Sequence, residues 1–161
     1  MNLINKIKKG QIWWADLGQQ EGSIQSGKRP VLVLQNDIGN KYSPVVTICP
    51  ISSRIEKMKL PTHVKLNKNC GLIRESFALI EQIQTMNKNS LLGYIGNINE
   101  ITMKKINIAC KIQLGIMDQF DIQSFIKICR LKNKSDEDML IKKLINFCST
   151  NEIHYKNAIF N

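Results

Sequence analysis

Short apolar runs divided by chain-reversing residues constrain this sequence more than any other feature. Between Gly22 and Val64 a polar loop with two glycines and two serines, Gly22 to Lys28, reaches Arg29-Pro30 and then the apolar run Val31 to Leu34. Pro30 carries no amide donor and restricts the residue before it to extended conformations, so Arg29 is expected at a loop-to-strand junction with its side chain aimed into a cleft. A second apolar run, Val45 to Ile51, ends in Ser52-Ser53-Arg54 at the same kind of junction. Arg29 and Ser52 are therefore expected to meet at one mouth.

The flanking segments obey the same grammar. Gln11 to Leu17 reads as a strand with Ile12, Trp14 and Leu17 toward the core and Trp13 on the opposite face. Asn36 to Asn40 carries turn chemistry, with Asn, Asp and Gly supplying local hydrogen bonds and positive φ. Pro50 inside an apolar run argues for an edge or a bulge there. Further strands are expected at Thr62 to Leu66 and Glu75 to Ile83; in the latter Phe77, Leu79 and Glu81 share one face and Ala78, Ile80 and Gln82 the other. Such a series of short strands calls for a small barrel or sandwich.

From Asn99 the period changes to that of a helix. Asn99 is a good cap, and Ile101, Lys105, Ile108, Ala109, Ile112 and Ile116 fall roughly on one stripe, which predicts a helix over residues 100–117 packed on the strands. Beyond it, Ile122, Phe125, Ile126 and Cys129 form one apolar set, and Leu140, Ile141, Leu144, Phe147 and Cys148 another behind the helix start at Ser135. The expected organisation is a domain over residues 1–118 followed by a helical hairpin over 119–161.

Charge and cysteine usage narrow the function. The chain of 161 residues carries 23 basic and 13 acidic side chains, with ten basic against four acidic up to residue 66. The positive field thus lies on the segment with the candidate mouth, and such a field favours a polyanion, because phosphate neutralisation releases counterions. The five cysteines are widely spaced, with neither a CxxC pair nor a Cys/His cluster, so no disulfide framework and no zinc site is expected. The start, MNLINKIKKG, lacks the apolar stretch of a signal peptide and no run reaches membrane-spanning length, which makes the cytoplasm the expected location.

Read together, the loop-Arg29-Pro30-strand, the segment QNDIGN, the strand ending in ISS, the LPTHV segment and ALIEQIQT resemble the MazF/PemK family of toxins over roughly residues 8–117. The resemblance implies a β-rich α+β fold: a small SH3-like β-barrel of the MazF/CcdB type, with a packed helix after the barrel. It also implies a homodimeric, sequence-specific endoribonuclease that cuts single-stranded mRNA without metal or other cofactor. A cognate antitoxin would restrain it, and DNA would be met only indirectly, through that antitoxin. Two positions depart from the family pattern: Ile24 stands where an acidic residue is common, leaving Glu21 as the loop's nearest acid, and Ser52 stands where a threonine is common.

RNA cleavage by its own 2′-hydroxyl needs a proton acceptor, a group that stabilises the phosphorane and a proton donor for the leaving 5′-oxygen. The two histidines do not suit an acid/base pair: His154 lies in the C-terminal tail, and His63 in LPTHV reads as structural or as a contact residue. Arg29, planar, charged and forked toward phosphate oxygens, is the candidate electrostatic stabiliser. Ser52 can donate to a nonbridging oxygen, and the resemblance extends the role of Arg29 to proton transfer. Gln25, Asn36, Ser53, Ser76 and Gln82 are candidates for reading unstacked bases, and Lys28, Arg54 and Lys57 for holding phosphates. Two other readings stay open: a non-enzymatic toxin of the same fold that binds DNA gyrase, and a plain RNA-binding module. For Arg29 and Ser52 the bland alternatives are a surface salt bridge and a strand end.

Overall fold

The computed structural model describes residues 7–54 and 60–117. The expected helical hairpin at 119–161, His154 and Lys57 lie outside these residues. The described chain forms strands β1 (Gln11–Asp16), β2 (Lys28–Val33), β3 (Val45–Ser52), β4 (His63–Leu66), β5 (Ser76–Leu79), β6 (Gln84–Asn87) and β7 (Leu91–Asn97), with helices α1 (Asp37–Tyr42) and α2 (Glu100–Leu114). All strand pairs are antiparallel, in the order β4-β5-β3-β2-β1-β7, and β6 pairs with β3 beside β5. The fold is β-rich α+β with the helix after the strands, as the resemblance implied.

The ladder itself does not close into a ring. Its two ends meet through backbone packing instead, where the turn after β4 lies against β7. Gly71, with φ of 95°, is so close to Ile95 that an added Cβ would come within 2.5 Å of its carbonyl oxygen, and a Cβ on Gly96 would come within 2.2 Å of the Cys70 carbonyl oxygen. Glycine is required at both positions because backbone occupies the space a side chain would need.

Both faces of the central strands are buried. Ile12, Leu32, Cys49 and Ile51 join Val64, Leu66, Ala78, Ile80, Ile106 and Ala109 in one core between the curled sheet and α2. Trp13, Ala15, Val31, Val33, Val46 and Ile48 form a second core on the opposite face. This two-sided burial explains why β2 and β3 read as nearly continuous apolar runs. Pro50 fits a central strand for a specific reason. The Thr47 carbonyl accepts from Leu34, so it faces β2, and by alternation the Pro50 nitrogen faces the other side. There β3 pairs with β6 as far as Ile48 and with β5 only from Ile51, so Pro50 falls in the gap and no ladder bond is lost.

Several local expectations need correction. Trp13, not Trp14, is the core tryptophan: Trp13 is 3% exposed and Trp14 44%. Alternation alone could not tell which tryptophan was buried, because both faces carry core residues, and Trp14 stands between Pro30 of β2 and Gly93 of β7. Residues 36–40 start a helix rather than a turn: Asn36 Oδ1 accepts from the Gly39 amide at 2.8 Å, and the buried Lys88 ammonium donates to the carbonyl of Asn40 near the helix end. The strand expected over 75–83 ends at Leu79, and a further strand, β6, begins beyond that range at Gln84. A turn at Ile80–Gln82 divides them, held by the Ile80 amide on the Thr62 carbonyl at 3.2 Å and the Thr62 hydroxyl on Glu81 at 3.3 Å. In α2 the Asn99 cap accepts from Thr102 as expected, but Gly115 with φ of 67° ends the helix at Leu114. Ile106 joins Ile108, Ala109 and Ile112 in the buried stripe, while Ile101 and Ile116 are exposed.

The two tryptophans provide a direct check on the second core. Trp13→Ala should lower folding stability by about 3–5 kcal/mol in denaturant titration, because a buried indole leaves a large cavity. Trp14→Ala should change it by less than about 1 kcal/mol.

A candidate RNA-cleavage site at the Arg29–Ser52 mouth

The site forms where β2 begins and β3 ends. β2 starts at Lys28, so Arg29 is the second residue of the strand, just inside the loop-to-strand junction and opposite Ala15 of β1. On the other side, Val31 pairs with Pro50 of β3. Carried two residues further, that register brings Arg29 across from Ser52 on the same face. Both line one open cavity of about 460 Å³ together with Gln25, Pro30, Ile51, Ser53, Arg54 and Ser76.

Arg29 is half-buried, and its Nε and Nη2 donate to the Ser26 carbonyl at 2.9 and 2.6 Å. One backbone oxygen thus fixes the plane of the guanidinium and leaves the rest of the fork for an anion. Burial lowers its pKa from the usual arginine value by desolvating the charged form. The Ser52 hydroxyl accepts from the Arg54 amide at 3.1 Å and contacts the Arg54 carbonyl at 3.4 Å, so it shapes the turn that carries Ser53 and Arg54 to the rim. Ser76, buried at the floor, donates to the Arg74 carbonyl at 3.0 Å.

The remaining expected residues separate into groups. Gln25, Ser53, Arg54 and Ser76 are brought together with the central pair. Gln82 is engaged with the loop above them: its Oε1 accepts from the Gln25 amide at 2.8 Å and its Nε2 donates to the Ser23 carbonyl at 3.2 Å. Lys28 is exposed opposite Asp16 and does not line the cavity. Asn36 is committed to capping α1, at the far end of β2. Neither Glu21 nor Ile24 lines the cavity, and both are exposed. His63 is structural: its Nδ1 accepts from the Leu60 amide at 3.3 Å, which leaves the proton on Nε2, facing Glu81 Oε1 at 3.1 Å. Sequence reasoning missed Ser26, because it acts through its backbone carbonyl and no side-chain pattern reports that.

The family model for PemK-like, MazF-like toxins of type II toxin-antitoxin systems matches residues 8–114. The chain is 43% identical over 113 residues to Endoribonuclease EndoA of Bacillus subtilis strain 168, covering 70% of this chain and 97% of that protein. It is also 43% identical over 111 residues to Endoribonuclease MazF of Staphylococcus saprophyticus, covering 68% and 92% of the two chains. Among solved structures, a mycobacterial endoribonuclease in complex with its cognate antitoxin is similar at a TM-score of 0.57 and 26% identity, covering 70% and 97%. MazF from Deinococcus radiodurans shares the fold at a TM-score of 0.60 and 22% identity, covering 68% and 96%.

The polar set at this mouth is separable from what holds the chain folded. Arg29 touches one loop carbonyl and no carboxylate among the described residues. Arg29→Ala should therefore shift the unfolding free energy by no more than about 1 kcal/mol, read from the denaturation midpoint.

Proposed function

Because the chain belongs to the PemK-like, MazF-like toxins of type II toxin-antitoxin systems, we propose that it cuts single-stranded mRNA by 2′-hydroxyl attack, with Arg29 and Ser52 acting on the scissile phosphate. It is an endoribonuclease toxin of that family. The observation that carries the chemical reading is the union of a guanidinium and a hydroxyl on one face of a single cavity.

In the proposed step the 2′-oxygen loses its proton and bonds to phosphorus, and the bond to the 5′-oxygen breaks as that oxygen takes a proton. The products are a 2′,3′-cyclic phosphate and a 5′-hydroxyl. Negative charge grows on the nonbridging oxygens, where a forked cation and a hydroxyl donor stabilise it more than they stabilise the ground state. Burial moves the Arg29 pKa in the direction that proton transfer by this residue needs. Among the described residues the groups around the cavity are guanidiniums, hydroxyls and an amide rather than carboxylates, a set that suits direct phosphate contact without metal. Arg54, Ser53, Gln25 and Ser76 are positioned for flanking phosphates and bases, and the net charge of +10 supports RNA as the polyanion.

The active species is proposed to be a cytoplasmic homodimer restrained by a cognate antitoxin; among the described residues no helix is long and apolar enough to cross a membrane. Residues 119–161 are proposed to form a separate helical hairpin that packs on that dimer away from the mouth. Its seven basic and five acidic residues give little reason to contact RNA, and its two short apolar stripes are too small to stand alone.

Incubation with a long RNA in excess chelator should yield discrete fragments with cyclic phosphate ends, and intact RNA would sink the proposal. Arg29→Ala and Arg29→Lys should abolish cleavage, since an ammonium does not reproduce the forked contact. Ser52→Thr should be tolerated and Ser52→Ala should lose about 10²-fold or more; an unchanged Ser52→Ala rate would move the role to Ser53. A chain ending at Asp118 should cleave at a similar rate with reduced stability, whereas a large rise in rate would identify the extension as a lid.

A further inference from the structure

The loop that orients Arg29 is held in place from across the sheet by one side chain. Ser23, Gln25 and Ser26 lie in a glycine-rich segment whose own backbone bonds close its neck, Gly27 to Gly18 at 2.7 Å and Leu17 to Gly27 at 3.1 Å, and one local turn, Ile24 to Glu21 at 3.4 Å. Past the neck the loop is polar and mostly exposed, so little apolar burial fixes its conformation. Its long-range hydrogen bonds among the described residues are those to the Gln82 carboxamide, which accepts from the Gln25 amide and donates to the Ser23 carbonyl.

Gln82 can hold a loop because its own backbone is fixed. It closes the turn Ile80–Gln82, in which Ile80 is fully buried and Glu81 is bound by both the Thr62 hydroxyl and His63 Nε2. The connection then runs from this anchored turn through Gln82 to Ser23 and Gln25, and from the adjoining Ser26 carbonyl to the Arg29 fork. We propose that Gln82 is a positioning residue for cleavage: its carboxamide clamps residues 23–25 and thereby sets the orientation of the Arg29 guanidinium, rather than reading a base of the RNA. The inference rests on the catalytic reading of Arg29 given above. A guanidinium displaced by about 1 Å from its productive place is expected to cost on the order of 10²-fold in rate.

Gln82→Leu and Gln82→Glu test this in the full chain. Leucine removes both bonds; glutamate keeps the acceptor for the Gln25 amide and loses the donor to Ser23. The expected result is a fall in kcat of about 10-fold to 10²-fold for Gln82→Leu, with KM moving less than about 3-fold, and an intermediate kcat for Gln82→Glu. The cleaved sequence should stay the same, and amide exchange at Gln25 should accelerate in the order wild type, Gln82→Glu, Gln82→Leu. Unchanged kcat, or unchanged Gln25 protection, overturns the proposal. A changed base preference at one position, with kcat restored on RNA of the new sequence, also overturns it and makes Gln82 a base reader. If the wild-type protein does not cleave RNA, the catalytic reading fails, while the Gln25 exchange rates still decide whether the clamp exists.

Discussion

The register between β2 and β3 is the constraint on which the rest of the site depends. Val31 opposite Pro50 and Val33 opposite Ile48 pack into one core, while Leu32 opposite Cys49 packs into the other. A slip of one residue would exchange the two faces, burying Arg29 and Ser52 with the wrong neighbours, and two filled cores forbid it. The position of the guanidinium relative to the hydroxyl is therefore set by aliphatic packing several residues away. The geometry of the candidate site is a by-product of core registry, and that is a rigid way to hold it.

Around that registry the fold uses polar contacts where burial is thin. The turn Ile80–Gln82 shows the division of labour: Ile80 is buried, Glu81 binds Thr62 and His63, and Gln82 reaches the loop. Every member of the group is satisfied by a named partner, so the cluster orders the loop without a buried unpaired charge. At the opposite end, closure relies on the absence of side chains at Gly71 and Gly96, which lets backbone meet backbone where no ladder forms. Rigidity beneath the cavity and adjustability above it are consistent with a scaffold that must accept single-stranded RNA.

Much of this was legible in the chain itself. The strand-rich organisation, the helix capped by Asn99 and the pairing of Arg29 with Ser52 at one mouth followed from apolar runs, a proline and two junctions with like composition. The ordered resemblance over residues 8–117 agreed with the family model over 8–114. What could not be read was which face of a doubly buried strand lies inside, as with Trp13 and Trp14, and where an extended run breaks. The break at Ile80 depends on Thr62 and His63, nearly twenty residues away in sequence, and local propensity carries no record of such a partner. Asn36 and Lys28 were drawn into the site on residue type alone; one caps a helix and the other faces solvent opposite Asp16.

By itself, then, the sequence determined the class of fold, the family and the identity of the two central side chains, because periodicity, turn residues and an ordered set of motifs are local properties of the chain. Tertiary structure alone decided how those side chains are held. The Ser26 carbonyl on Arg29, the Gln82 carboxamide on the loop and the glycine contacts that draw the sheet ends together are interactions of backbone groups or of residues far apart in sequence. A backbone carbonyl has no residue type, and a contact across 57 positions leaves no period. Only packing the strands into register brings such groups within hydrogen-bonding reach.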